Sequence, residues 1–214
     1  AGGTIGFARG AFAVSYDREL VTVPGCEFFN GVPDMELVLD KERRKGWQAG
    51  TDIALGDLYA NNEPFGLCSR GTVKRAVKDW ESLGDFPFIG LETEAYIFQR
   101  DEDGIWRPYD TPGAFVYSTG PESDPKGVMD DIWEAAYAAD IPIESMNGEF
   151  DNGQFELTMK FDHAVKACDD AFLMRTMARE IGLKKGLLLT FLPKPVPDRG
   201  GSGLHVNFSL KDKD

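Results

Sequence analysis

Five side chains of this sequence have the types and spacing to hold hard cations. Glu92 and Glu94 stand two apart in Leu91 to Phe98, a run whose alternation predicts a β-strand. Both carboxylates then share one face, while Leu91, Thr93, Ala95 and Ile97 take the other. Two residues along a strand separate them by roughly 7 Å, close enough to serve two neighbouring ions. Glu149 and Glu156 flank the turn signal Asp151-Asn152-Gly153, so a chain reversal there carries them toward a common point. His205 adds an imidazole to the polar face of the alternating run Leu204 to Leu210, beside Asn207 and Ser209. Carboxylate-rich ligation with one histidine suits Mg²⁺ or Mn²⁺ better than Zn²⁺, which prefers thiolates and several imidazoles. Taken one at a time, these features are more often the solvent face of an antiparallel sheet, or a surface imidazole. His163, just inside a helix start, is read in that ordinary way.

The elements that must position these groups are legible as periodic runs. Gly153 to Lys160 alternates Gln154, Glu156 and Thr158 against Phe155, Leu157 and Met159, and Ile141 to Glu149 forms a further strand ending on its carboxylate. Helices are predicted around Val73, Ala76, Val77 and Trp80, and around Val128, Ile132, Ala135 and Ala139 behind a Ser123-Asp124-Pro125 start. A longer one is capped by Asp162, carries the stripe Val165, Cys168, Phe172, Leu173, Met177 and Ile181, and stops at Gly182. Lys194 to Gly203 is a glycine-rich loop whose backbone N–H groups suit a close approach to anions, although an ordinary turn has the same composition. Before Pro64 to Arg70 the texture differs: short β-like runs at Thr4 to Ala8, Ala11 to Ser15, Met35 to Leu39 and Asp52 to Tyr59 suggest a small sheet-rich module. The expected division is 1–66 and 67–214, in an α+β architecture.

Composition narrows the partners. A net charge of −13 over 214 residues repels nucleic-acid phosphates and anionic lipid, and no apolar run is long enough to span a bilayer, so neither nucleic acid nor membrane is expected. Cys26, Cys68 and Cys168 are scattered and odd in number, which points to a reducing, cytoplasmic setting. The chain opens on Ala1 and stops at Lys211-Asp212-Lys213-Asp214 directly after an alternating run, so it reads as truncated.

In order along the chain, these segments resemble the glutamine synthetase family from about Thr51 to Leu210. Gly56-Asp57-Leu58-Tyr59 and Cys68-Ser69-Arg70 open the likeness. Gly90-Leu91-Glu92-Thr93-Glu94-Ala95-Tyr96-Ile97-Phe98 is similar to the family's GxExEFxLF strand, and Glu149 through Gly153-Gln154-Phe155-Glu156 to its E…GQxE element. Phe191-Leu192-Pro193-Lys194-Pro195 and Gly201-Ser202-Gly203-Leu204-His205 are similar to its FMPKP…GSGxH signature. Gly6-Phe7-Ala8-Arg9-Gly10 and Pro33-Asp34-Met35 are weaker echoes of its amino-terminal β-grasp domain. The resemblance implies a β-grasp-like module followed by part of a catalytic domain, an antiparallel half-barrel sheet with flanking helices.

It also implies roles. Glu94, Glu149 and Glu156 would hold a first metal, and Glu92 and His205 a second. Gly201 matches a backbone contact to substrate glutamate, Phe161 an aromatic that stacks on adenine, and Ser209 a residue near the nucleotide. The implied reaction is ATP-dependent ligation of an amine, ammonia first, to the γ-carboxylate of glutamate through a γ-glutamyl phosphate, with Mg²⁺ or Mn²⁺, in a homo-oligomeric ring. The catalytic arginines and carboxylates are expected beyond Asp214. The pattern is broken at Gly200, where the family usually has Asn, at Asn207, the second position of its HxH, and at Asn147-Gly148, where a His pair often precedes the glutamate. These departures leave room for another amine, such as a polyamine or methylamine, or for a structural relative without catalysis.

Overall fold

The computed structural model describes residues 3–27, 31 and 34–212; Pro33 of the β-grasp echo and the terminal Lys213 and Asp214 lie outside the described residues. By internal contacts the chain forms two compact units, residues 1–44 with 52–76, and residues 45–51 with 77–214. In the first, β1 (Thr4–Phe7), β2 (Met35–Leu39), β3 (Gly56–Ala60) and β4 (Glu63–Pro64) pair in that order, each antiparallel to the next. Asp57 of β3 draws in Arg70 at 3.0 Å and Lys74 at 2.5 Å from α1 (Ser69–Leu83). The strand expected over Ala11 to Ser15 is instead a 3₁₀ turn over Arg9–Ala13, with Val14 keeping a single bridge to Leu20. Alanine at 11 and 13 offers little for a pleated surface, and burial of Gly10 and Ala13 favours the tighter turn.

The second unit is organised by one strand, β5 (Phe86–Arg100), which is 15 residues long. Six further strands complete a seven-stranded sheet: β6 (Trp106–Pro108), β7 (Ile143–Gly148), β8 (Gln154–Met159), β9 (Asp162–His163), β10 (Leu187–Thr190) and β11 (Leu204–Lys211). All pairings are antiparallel; β8, β9 and β6 line one edge of β5, β11 and β10 line the other, and β7 lies outside β8. Strict alternation decides the faces. Leu91, Thr93, Ala95 and Ile97 are buried, as are Phe155, Leu157 and Met159, while Glu92, Glu94 and Glu156 stay half-buried on the opposite side. Against the buried side pack α3 (Ala164–Lys184) and, through it, α2 (Val128–Ala138). Val128, Ile132, Met174, Met177, Leu187 and Leu157 are sealed from solvent, each worth about 1.5–3 kcal/mol of burial. The α+β class expected from the sequence is the one observed, with antiparallel sheets and flanking helices.

Three expectations for α3 are corrected. Asp162 is no cap: it lies in β9, its carboxylate accepts the His163 N–H at 2.7 Å and meets Lys166 at 3.0 Å, and the residue at the cap position is His163. The buried face is offset from the expected stripe, because Ala167, Ala171, Met174 and Ala178 pack inward with Leu173, Met177 and Ile181. Val165 and Cys168 are left half-buried, and Phe172 is 62% exposed. These alanines are buried where α3 packs against the sheet and α2. Gly182 does not stop the helix, which runs on to Lys184; a Cβ there would fall 2.1 Å from Leu189 Cδ1, so a larger residue would have to displace that leucine side chain. Of the stripe expected for α1, only Val77 is buried, with Trp80 meeting Phe208 at 5.9 Å between ring centres. Among the described residues no helix is long and apolar enough to cross a membrane.

Candidate metal centre

Register places the acidic residues. Glu156 of β8 lies directly across from Glu94 of β5, and His205 of β11 directly across from Glu92 on the other edge. Glu149 follows β7 and is returned toward the sheet by a tight reversal: its N–H donates to Gln154 O at 2.9 Å, and the Gln154 N–H to Asp151 O at 2.9 Å. Gly153 makes that reversal possible. Its φ is +80°, and a Cβ would fall 2.8 Å from both the N and the O of Tyr109, so only glycine fits the turn and its close neighbour. Asn152 anchors it from outside by accepting the Thr111 N–H at 2.7 Å.

Two groups of ligand atoms result. One atom each from Glu94, Glu149 and Glu156 lie within 4.8 Å of one another, and so do one each from Glu92, Glu156 and His205. Glu156 belongs to both. The donor set, four carboxylates and one imidazole, suits hard divalent cations. Glu156 shows the strain of this crowding. Burial first, and then the charges of Glu149, Glu92 and Glu94, push its carboxyl above the ordinary carboxylate value. The His205 imidazole is pushed up by its hydrogen bond to Glu92 and the surrounding carboxylates, against a smaller opposing effect of burial. Uncompensated negative charge at a half-buried point is what a cation would relieve.

A surrounding set of polar groups fixes these side chains. Glu92 has both oxygens engaged, Oε1 by the Asn207 amide at 2.6 Å and Oε2 by His205 Nδ1 at 3.0 Å; these bonds, Asn207's first, hold its carboxyl below the usual range. Gln154 is 4% exposed and donates to Glu94 at 3.2 Å and to the Gly201 carbonyl at 2.8 Å. The Tyr96 hydroxyl lies 2.6 Å from Asp151 Oδ2 and 3.0 Å from the Gly200 carbonyl, and Asp151 also accepts the Gly200 N–H. Burial and the Asp151 carboxylate raise the Tyr96 phenol, keeping it protonated. The glycine-rich loop is therefore tied down. The N–H groups of Gly200 and Ser202 are already used, the latter by Pro193 O at 2.8 Å, and Lys194 turns back to the Arg199 carbonyl instead of projecting a charge.

The remaining singled-out residues fall nearby but apart from the carboxylates. Gly201 offers its carbonyl to Gln154. Phe161 is 61% exposed, its ring 6.4 Å from that of Phe88, and Ser209 lies across from Phe88 on β11. Lys211 Nζ sits 3.8 Å from the Phe88 ring centre and 5.4 Å from that of Phe161. Sequence reasoning missed the tie of Tyr96, Asp151 and Gly200. The parity that put Glu92 and Glu94 on one face also puts Tyr96 there and was a usable signal; the loop contact was not, since it spans 104 residues.

The architecture is that of a glutamine synthetase-type domain. A solved structure described as a novel glutamine synthase homolog superposes with a TM-score of 0.80 at 21% identity, covering 98% of this chain and 49% of its own. A GmaS/ADP complex superposes at 0.74 and 22%, covering 85% and 43%. At such identities the likeness speaks to the fold. The family described as glutamine synthetase, catalytic domain, matches residues 66–214, and the chain belongs to the glutamine synthetase family. A glutamate–isopropylamine ligase from a Pseudomonas species is 32% identical over 203 residues, 89% of this chain and 44% of the relative. The glutamine synthetase of Pyrococcus furiosus is 28% identical over 202 residues, 92% of this chain and 44% of the relative. The gamma-glutamylputrescine synthetase of Escherichia coli K12 is 31% identical over 159 residues, 70% and 34% respectively. The chain thus spans less than half the length of these curated relatives.

Proposed function

We propose that the protein serves the ATP-dependent ligation of an amine to the γ-carboxylate of glutamate through a γ-glutamyl phosphate. What supports the reading is a single arrangement: two clusters of ligand atoms meeting at Glu156 in a chain of this family. In it, Glu94, Glu149 and Glu156 hold one Mg²⁺ or Mn²⁺, and Glu92 and His205 hold a second, with a Glu156 oxygen in reach. Bound there, the ions would neutralise nucleotide phosphate charge and help align glutamate for phosphoryl transfer. The chain's own residues supply position. Gln154 fixes Glu94 and the Gly201 carbonyl together, so the glutamate-facing loop and the first cluster share one support. Phe161 and Ser209, on either side of Phe88, form the adenine end, and Gly90 separates them from the carboxylates. Ammonia and small organic amines both fit this reading, the second because relatives are named for isopropylamine and putrescine. The groups that stabilise the transferred phosphoryl and deprotonate the amine would belong to the part of the relatives' length that this chain does not span, in a protein that works as a homo-oligomer in the cytoplasm.

The test is phosphate release from ATP with glutamate and Mg²⁺, using ammonium, methylamine, isopropylamine and putrescine in turn, by the full-length protein. Amine-dependent phosphate release matched by γ-glutamyl amide is the expected result. Binding of divalent ions with no turnover for any amine would replace the ligase with a structural relative of the family. The 214-residue chain on its own is expected to release no phosphate.

A further inference from the structure

Asn207 stands at a gap in the sheet. Across from it on β5 is Gly90, between Phe88 and Glu92, and a Cβ at that glycine would come within 3.4 Å of the Phe161 Cβ. With no opposing side chain to pack on, the Asn207 amide reaches along the strand and donates to Glu92 Oε1 at 2.6 Å. The same carboxylate meets His205 Nδ1 through its other oxygen at 3.0 Å, and His205 is two residues from Asn207 on the same face of β11. An imidazole nitrogen so engaged fixes the ring's rotation, and Nε2 is turned toward the Gly203 and Glu94 side, where a Cβ at Gly203 would lie 3.1 Å from Nε2 and 2.8 Å from Glu94 Oε1. One amide therefore sets the carboxylate, and the carboxylate sets the ring.

We propose that Asn207 is a positioning residue for the second cation, acting through Glu92 and, through Glu92, on His205. This rests on the two-cation reading above. The amide is suited to the task because it donates without carrying charge, so it orients Glu92 without competing with a cation for position or altering the charge of the cluster. Gly90 presents no side chain opposite it, and a Cβ there would already touch the Phe161 Cβ at 3.4 Å.

The experiment is Mn²⁺ binding to the full-length protein, following free Mn²⁺ by electron paramagnetic resonance. The variants are Asn207→Ala, Asn207→Ser, Glu92→Ala and the double variant Asn207→Ala/Glu92→Ala. Two classes of bound ion are expected in the unaltered protein. Asn207→Ala and Asn207→Ser should weaken one class by about 10- to 100-fold, the range typical for a lost partner of a metal ligand, and leave the other within about threefold. In the Glu92→Ala background, Asn207→Ala should add nothing, because its effect passes through the missing carboxylate. A residue that merely stabilised the edge strand would instead lower the melting temperature of the metal-free protein and weaken both classes alike. Unchanged Mn²⁺ affinity in Asn207→Ala, equal loss at both classes, or additive losses in the double variant would each overturn the proposal while leaving the two-cation reading intact. Absence of any Mn²⁺ binding by the unaltered protein would overturn both.

Discussion

Replacing Glu156 with glutamine separates the cost of the acidic cluster from its use. Glu156 has Glu92, Glu94 and Glu149 around it, with ligand atoms as close as 4.8 Å or less within each group. At that distance two carboxylates repel by about 3.5 kcal/mol at an effective dielectric of about 20, and by about 0.9 kcal/mol in bulk water. The site is half-buried and His205 offsets part of the charge, so a net relief of about 2 kcal/mol on Glu156→Gln is expected, with the lower dielectric limit as its ceiling. For a chain of this size that raises the melting temperature of the metal-free protein by about 4–8 °C. Mn²⁺ at about a hundred times its dissociation constant should add about 2.7 kcal/mol per site to the unaltered protein. The variant, having lost the ligand common to both groups, should gain little. Thermal melting with and without Mn²⁺ then gives curves that change order: the variant is the more stable without the ion and the less stable with it. A variant that melts lower than the parent without metal, yet keeps the full Mn²⁺ shift, would refute the reasoning.

Three further outcomes follow from the same geometry. The Glu156 carboxyl is raised in the folded state, so its ionisation costs stability: the metal-free protein should become more stable as pH falls from neutral toward the ordinary value of 4.5, and Mn²⁺ affinity should fall in that same window. His205, raised above 6.5, has the same sign, with its contribution complete below that value and lost as pH rises through the folded value, whereas Glu92, lowered, contributes above 4.5 and is lost at more acid pH; Mn²⁺ titrations and melts across pH check all three. Gly153→Ala, at φ +80° and with its new Cβ 2.8 Å from Tyr109 backbone atoms, should destabilise by at least about 2 kcal/mol in denaturant unfolding and weaken Mn²⁺ binding by displacing Glu149. Gln154→Ala strips the nearly buried link between Glu94 and the Gly201 carbonyl, at a cost of about 1–3 kcal/mol in denaturant unfolding, and should weaken Mn²⁺ binding by releasing Glu94.

The parts of the site that depend on parity were open to reading from the sequence. Period-two alternation put Glu92 with Glu94, and Gln154 with Glu156, on polar faces whose opposite sides are buried. The reversal after Glu149 was also legible, because Asp-Asn-Gly is turn chemistry. What alternation cannot supply is which strand lies beside which. That Glu156 meets Glu94 while His205 meets Glu92 is a matter of register between segments far apart in the chain, and the Asn207 amide that engages Glu92 follows from the same register. The helices show the other failure. A stripe rule that looks for large apolar residues passed over Ala167, Ala171 and Ala178, which are buried in the α3 interface despite their small size. Asp170 is buried in that interface too, reached by Lys166 at 2.7 Å, a pairing that hydrophobic periodicity does not register.

The long central strand has a consequence for how the domain comes to exist. Every side chain proposed as a cation ligand is either on Phe86–Arg100 or brought toward it by segments arriving much later in the chain, with bonds spanning 60 residues between Gln154 and Glu94 and 113 between His205 and Glu92. Such high contact order makes loop closure the slow event in folding. Divalent ions have no assembled cluster to grip until those distant strands have docked, so they should act as a late brake on unfolding and leave the early folding rate nearly untouched.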